Sequence, residues 1–176
     1  EALLPEYLTR RQFARRGNPV IAARIERAFP VSPGEVPVWF LLLSVEFRHF
    51  GWAHTKGDGF VYLPKEQVLC TGDAVVNGPY NATMDANLAN WPVVLTAAGR
   101  LKVKTVLPGH GVPGGRELIE GQSQFMSDLW KTVKTGVDQG KKLEEIQASA
   151  KLPSSVWVGD GLKNQIRDAF NELTKK

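Results

Sequence analysis

The stretch AHTKGDGFVYLPKEQVLCTGDAVVNG at residues 53–78, together with LKVKTVLPGHGVPGG at residues 101–115, decides how this chain reads. It holds three short motifs: His54-Thr55-Lys56-Gly57-Asp58, Thr71-Gly72-Asp73 and Pro108-Gly109-His110-Gly111. Each sets a side chain able to ligate a metal just after a strand-like run or at a glycine-rich turn. Such turns are where a rigid scaffold presents functional groups. Phe60-Val61-Tyr62-Leu63 and Val68–Thr71 read as strands. Pro64-Lys65-Glu66-Gln67 between them is a turn with proline at a favoured position, so the pair forms a hairpin.

Working outward, residues 74–84 form a loop with Asn77, Gly78, Pro79, Tyr80 and Asn81, placed to border a pocket. Asp85 can cap a helix expected from Ala86 to Ala98, with Leu88, Trp91, Val94 and Leu95 on one face. Val103 to Leu107 is a strand that delivers the Pro108-Gly109-His110-Gly111 loop. Gly115 to Gln139 has the spacing of a long amphipathic helix closed by Gly140. Leu143 to Lys151 is a short helix, Pro153 to Asp160 a loop, and Leu162 to Thr174 a last helix. Upstream, Pro5 to Arg16 and Pro19 to Ala28 read as helices, and Pro30, Pro33, Gly34 and Pro37 enforce an irregular link. Val38 to Leu43 is a continuous apolar run of the kind found in strands buried on both faces. Val45, Phe47 and His49 then alternate with Glu46, Arg48 and Phe50.

The chain has 176 residues, 23% of them charged and 43% hydrophobic, which fits one globular domain. Residues 1–30 read as helical, 38–140 as mixed strand and helix, and 141–176 as helical. The net charge is +4 and the arginines near residues 10–27 spread over more than one helix face. A solvated surface is the plainer reading, and nucleic acid is not an expected partner. No apolar run approaches the roughly 20 residues needed to cross a membrane. The single cysteine, Cys70, excludes an internal disulfide and reads as a packed strand thiol. No signal peptide is visible, and the sequence opens on Glu1 rather than Met, so the compartment stays open between cytoplasm and periplasm.

His54, Asp73 and His110 supply imidazole nitrogen and carboxylate oxygen, the donors zinc takes in catalytic sites. They lie far apart in sequence and so come from different loops. Asp58 could orient the His54 loop and stands with Asp73 as a candidate catalytic residue. His49 reads as a strand-face residue and Trp52 as core. Asn81-Ala82-Thr83 matches a glycosylation sequon by chance.

The order and context of the three motifs resemble the metallo-β-lactamase superfamily, over roughly residues 45–140. The resemblance implies an α/β fold, half or part of an αββα sandwich, flanked by N- and C-terminal helices like those of some bacterial members. It implies zinc, one or two ions, with the residue matching His54 on the first metal, that matching Asp73 bridging, and that matching His110 on the second. It implies hydrolysis of a small-molecule ester, lactone, thioester or amide by a metal-activated water. The family's H-x-H-x-D-H motif, which carries the other ligands, does not occur in the sequence. Half a sandwich would leave one sheet face open, and Trp39, Leu41, Leu43, Phe60 and Tyr62 are candidates to line it. A second copy in a homodimer, or an absent N-terminal segment, would cover it. The alternatives are a truncated, non-catalytic homologue serving as an oligomerisation or binding module, and a basic protein that uses its arginines on an acidic partner.

Overall fold

The computed structural model describes residues 44–153 and 156–175. The two N-terminal helices, the irregular link, the Val38–Leu43 strand and the arginine-rich stretch lie outside the described residues. So do Trp39, Leu41 and Leu43.

Four strands form one sheet in chain order. β1 (Glu46–Arg48) pairs antiparallel with β2 (Phe60–Leu63), which pairs antiparallel with β3 (Val68–Gly72). The expected hairpin is there, with Gln67 at φ 56 closing its turn. A crossover through α1 (Trp91–Ala98) then brings β4 (Thr105–Pro108) parallel to β3. α2 (Glu117–Asp138), α3 (Leu143–Ser149) and α4 (Leu162–Thr174) complete the described chain. Gly140 closes α2 at φ 72, with Gly140 N donating to Val137 O and Lys141 N to Gly136 O, at 2.9 and 3.0 Å. That pair of bonds satisfies the carbonyls a helix end leaves over, and it needs a residue tolerant of positive φ.

α1 begins later than its apolar spacing suggests. Pro92 has no N–H, and its ring would collide with a carbonyl one turn back if the helix ran from Ala86. The helix therefore starts at Trp91, which puts the proline in the first turn where no donor is required. Residues 88–90 form a turn instead, and the Asn87 side chain accepts from Asn90 N at 2.9 Å. The burying face is the expected one all the same: Leu88, Trp91, Val94 and Leu95 are all buried.

The strands alternate as period-two geometry requires. Phe60, Tyr62, Leu69, Thr71 and Val106 point to the helix side and are buried there. The four apolar ones pack with Trp91, Leu95, Leu118, Met126 and Leu129 in one cluster. Phe60 and Tyr62 therefore do not line an open face. That place belongs to the opposite row, in which Phe47, Val61, Cys70 and Leu107 lie side by side across all four strands. Leu63 and Val68 extend the row, and none of the six joins the core. Cys70 is a half-buried strand thiol. Trp52 is likewise half-buried and outside the core, with the Lys56 ammonium 4.8 Å from its ring centre. Among the described residues no helix is long and apolar enough to cross a membrane.

Burial in the α1 face carries a measurable share of stability. Leu95→Ala should cost about 2–5 kcal/mol in urea unfolding, through lost transfer energy and the cavity left behind. Val93→Ala, on the exposed side of the same helix, should stay within about 0.5 kcal/mol. Equal losses at the two positions would mean that the helix does not face the core as described.

Candidate metal centre

Two loops meet at the C-terminal ends of the parallel strands β3 and β4. Thr71, the last buried residue of β3, has its hydroxyl within reach of the Gly72, Val75 and Leu107 carbonyls at 3.0, 3.4 and 3.3 Å. It therefore sits between the turn that carries Asp73 and the end of β4. The loop after β4 is folded back on its own strand, because Val106 and Gly114 exchange both backbone hydrogen bonds, at 2.8 and 3.1 Å. Gly109 N lies 3.0 Å from both the Gly72 and the Val75 carbonyl. Asn77 N donates to His110 O at 2.8 Å, and the Asn77 side-chain amide donates to Val112 O at 2.9 Å. The bonds of Gly109, Asn77 and Gly114 thus tie the His110 loop to the Asp73 turn and to β4.

The result is that His110 Nε2 stands 3.5 Å from Asp73 Oδ1. Both side chains are partly open to solvent, at 56% and 40% exposure, so a ligand can reach the gap between them. Gly109 makes this approach possible: a Cβ there would overlap Asp73 Oδ1 and come within 2.7 Å of the Gly72 carbonyl carbon. Gly111, at φ 88, lies against the Asn77 carbonyl in the same way. The Tyr80 ring, from the 74–84 loop, is 5.7 Å from the His110 ring.

His54 is positioned by a separate device. Asp58 Oδ1 accepts from Thr55 N and from the Thr55 hydroxyl at 2.9 and 2.8 Å, and Oδ2 accepts from Ala53 N at 3.0 Å. The Asp58 carboxylate thus pins the His54 turn from both sides of the histidine, a positioning role. His49, one residue beyond β1, has Nδ1 2.7 Å from the Asp58 carbonyl and steadies the same turn. The His54 and Trp91 rings make a T-shaped contact with centres 5.8 Å apart, and Trp91 Nε1 donates to Ala74 O at 2.9 Å, next to Asp73. Trp91 therefore links the His54 turn to the Asp73 turn. Its helical spacing marks it as a core residue, and nothing local to it in sequence signals this second contact.

Asp73 and His110 are brought together as a pair, while His54 keeps to Trp91. Among the described residues no group of three or more histidine, cysteine or carboxylate side chains stands close enough to hold one ion. The chemistry of the pair fits zinc, with one nitrogen and one oxygen donor and open positions beyond them. A cleft of about 680 Å³ lies elsewhere, between the His54 turn and α4, and is lined by Trp52, Lys56, Met84 and Glu172 among others, but not by Asp73 or His110.

No family model matches the chain. A curated metallo-β-lactamase type 2 of Pseudomonas aeruginosa is 26% identical over 112 residues, 61% of this chain and 42% of the relative. The solved stereoselective inverting sec-alkylsulfatase Pisa1 of Pseudomonas sp. superposes with a TM-score of 0.63 at 18% identity, over 75% of this chain and 24% of that one. The chain is a metallo-β-lactamase-fold protein. A mono-zinc metallo-β-lactamase, FIM-1 of Pseudomonas aeruginosa, is also similar, at 28% identity and a TM-score of 0.46, over 49% of this chain and 41% of its own. This metallo-β-lactamase-fold chain spans about two-fifths of the length of the curated relative it matches.

Asn81 of the sequon is 9% exposed; its side-chain oxygen accepts from Gln122 Nε2 at 2.6 Å and its amide nitrogen is buried in the folded chain.

The glycine contacts give a direct check. Gly109→Ala should lower stability by about 1–3 kcal/mol, the usual cost of forcing a methyl into an occupied space. Gly57→Ala, where a Cβ meets nothing within 4 Å, should leave the thermal midpoint almost unchanged. A neutral Gly109→Ala would show that the two loops are not in contact.

Proposed function

We propose that the chain is the metal-binding portion of a zinc-dependent hydrolase of the metallo-β-lactamase type. The carrying observation is the Asp73–His110 pair, an imidazole and a carboxylate set 3.5 Å apart by loops that depend on glycine. The 26% identity to a metallo-β-lactamase supports the same reading. Asp73 and His110 would hold one ion, and His54, on its own turn, would serve a second. Zinc at that position supplies Lewis acidity toward a carbonyl oxygen and acidifies water. The chain's residues do the rest. The Asp58 carboxylate keeps the His54 turn fixed, the Trp91 indole shields one side of the His54 ring, and the Tyr80 phenol, 54% exposed, offers a hydrogen-bond donor beside His110. The substrates in view are small esters, lactones, thioesters or amides.

A second reading is favoured by the apolar row Phe47, Val61, Cys70 and Leu107. In it the chain is a non-catalytic homologue that pairs with a second copy through this face. Light scattering tests this second reading, since a stable monomer would remove it.

Zinc titration by calorimetry tests the first. Even residues that only orient a metal ligand contribute about 10–100-fold in affinity. Asp73→Asn and His110→Ala should therefore each weaken binding by at least about tenfold. His54→Ala should remove zinc at a different position. Stoichiometry unchanged in both histidine variants would overturn the ligand assignment.

A further inference from the structure

One face of α4 reaches a run of otherwise irregular chain. Gln165 Nε2 donates to Asn81 O at 3.1 Å. Asp168 Oδ2 accepts from the Thr83 hydroxyl at 2.6 Å. The two oxygens of Glu172 accept from Leu88 N and Ala89 N at 2.8 and 3.2 Å. Residues 165, 168 and 172 are spaced three and four apart, which places them on one side of a helix. They meet residues 81, 83 and 88–89 in the same order along the chain. Ahead of α4, Trp157 Nε1 donates to Val76 O at 2.6 Å, and the indole lies where a Cβ on Gly121 of α2 would stand. Five hydrogen bonds from the C-terminal portion thus span the segment from Val76 to Ala89.

That segment has no strand or helix of its own. It begins just after Asp73, carries Tyr80 against His110, and ends just before Trp91, which meets the His54 ring. We infer that α4 and Trp157 act as a clamp that positions the two aromatic rings of the metal centre, with Asp168 and Glu172 as positioning residues. The charge arrangement fits the task. A carboxylate accepts two adjacent backbone N–H groups more strongly than a neutral group can, so Glu172 fixes the entry to α1 where Pro92 prevents an earlier helical start. Asp168 is held in turn by Arg167, whose guanidinium donates to its other oxygen at 2.9 and 3.0 Å. The clamp rests on the proposed metal centre for its purpose but not for its existence, and the test keeps the two apart.

The experiment compares the wild-type chain with Asp168→Asn/Glu172→Gln, without added metal, by amide hydrogen exchange and by the nuclear Overhauser contact between the Tyr80 and His110 rings. The clamp requires exchange at Leu88 and Ala89 to quicken by about tenfold or more while protection in α2 and β3 is kept, as local opening does. It also requires the Tyr80–His110 contact to weaken. Should the double variant lose protection everywhere, Thr83→Val cuts the Asp168 strap from the loop side, and the clamp then requires quicker exchange at Ala86, whose N–H is held by the Thr83 carbonyl, with a weaker Tyr80–His110 contact. Unchanged exchange in residues 76–89 overturns the clamp. Faster exchange with the ring contact intact overturns its role at the metal centre. Neither result depends on whether zinc binds, so a failure of the hydrolase reading is seen separately in the titration.

Discussion

The approach of Gly109 to the turn after β3 is the contact on which the site depends. Its amide faces the Gly72 and Val75 carbonyls, and its missing side chain leaves room for the Asp73 carboxylate. Parallel pairing of β3 with β4 brings the two strand ends to the same edge of the sheet, which is where ligands bind in open α/β sheets. The crossover through α1 is what makes that pairing parallel. A side chain at 109 would take the space the Asp73 carboxylate now fills.

Around this contact the chain builds two supports of different kinds. The Asp58 carboxylate organises the His54 turn locally, within five residues of sequence. The C-terminal helix acts at long range, reaching back more than 80 residues to the segment that bears Tyr80. Local supports of the first kind form with their turn. Supports of the second kind need α4 in place, so the arrangement of residues 81–89 depends on the helical extension as well as on the sheet.

Much of this was legible in the sequence, for identifiable reasons. The hairpin, α2 and α4 each combine a clear period with a turn or cap residue at their ends, and Gly140 marks a helix stop with its mechanism attached. The motifs put His54, Asp73 and His110 forward as one cluster, whereas the structure brings Asp73 within 3.5 Å of His110 and leaves His54 against Trp91, a separation that sequence spacing does not carry. The start of α1 was misplaced because Asp85 has the chemistry of a cap, while Pro92 quietly forbids the turn that such a cap would need. Which face of β2 is covered could not be read from Phe60-Val61-Tyr62-Leu63, because all four are apolar and the alternation carries no contrast. Trp52 has the size and apolarity of a core residue, yet its indole N–H donates to Asp85 O at 2.8 Å and it lines a cleft. The bonds from α4 join residues about 80 apart and leave no local trace.

Anomalous diffraction at the zinc edge, on crystals of this chain grown with zinc, addresses the metal centre without reference to any substrate. The reading above requires a peak between Asp73 and His110, within about 2.0–2.2 Å of both the donor nitrogen and the donor oxygen. A chain with the same fold and no peak at that pair, or with zinc held only by other side chains, would contradict it.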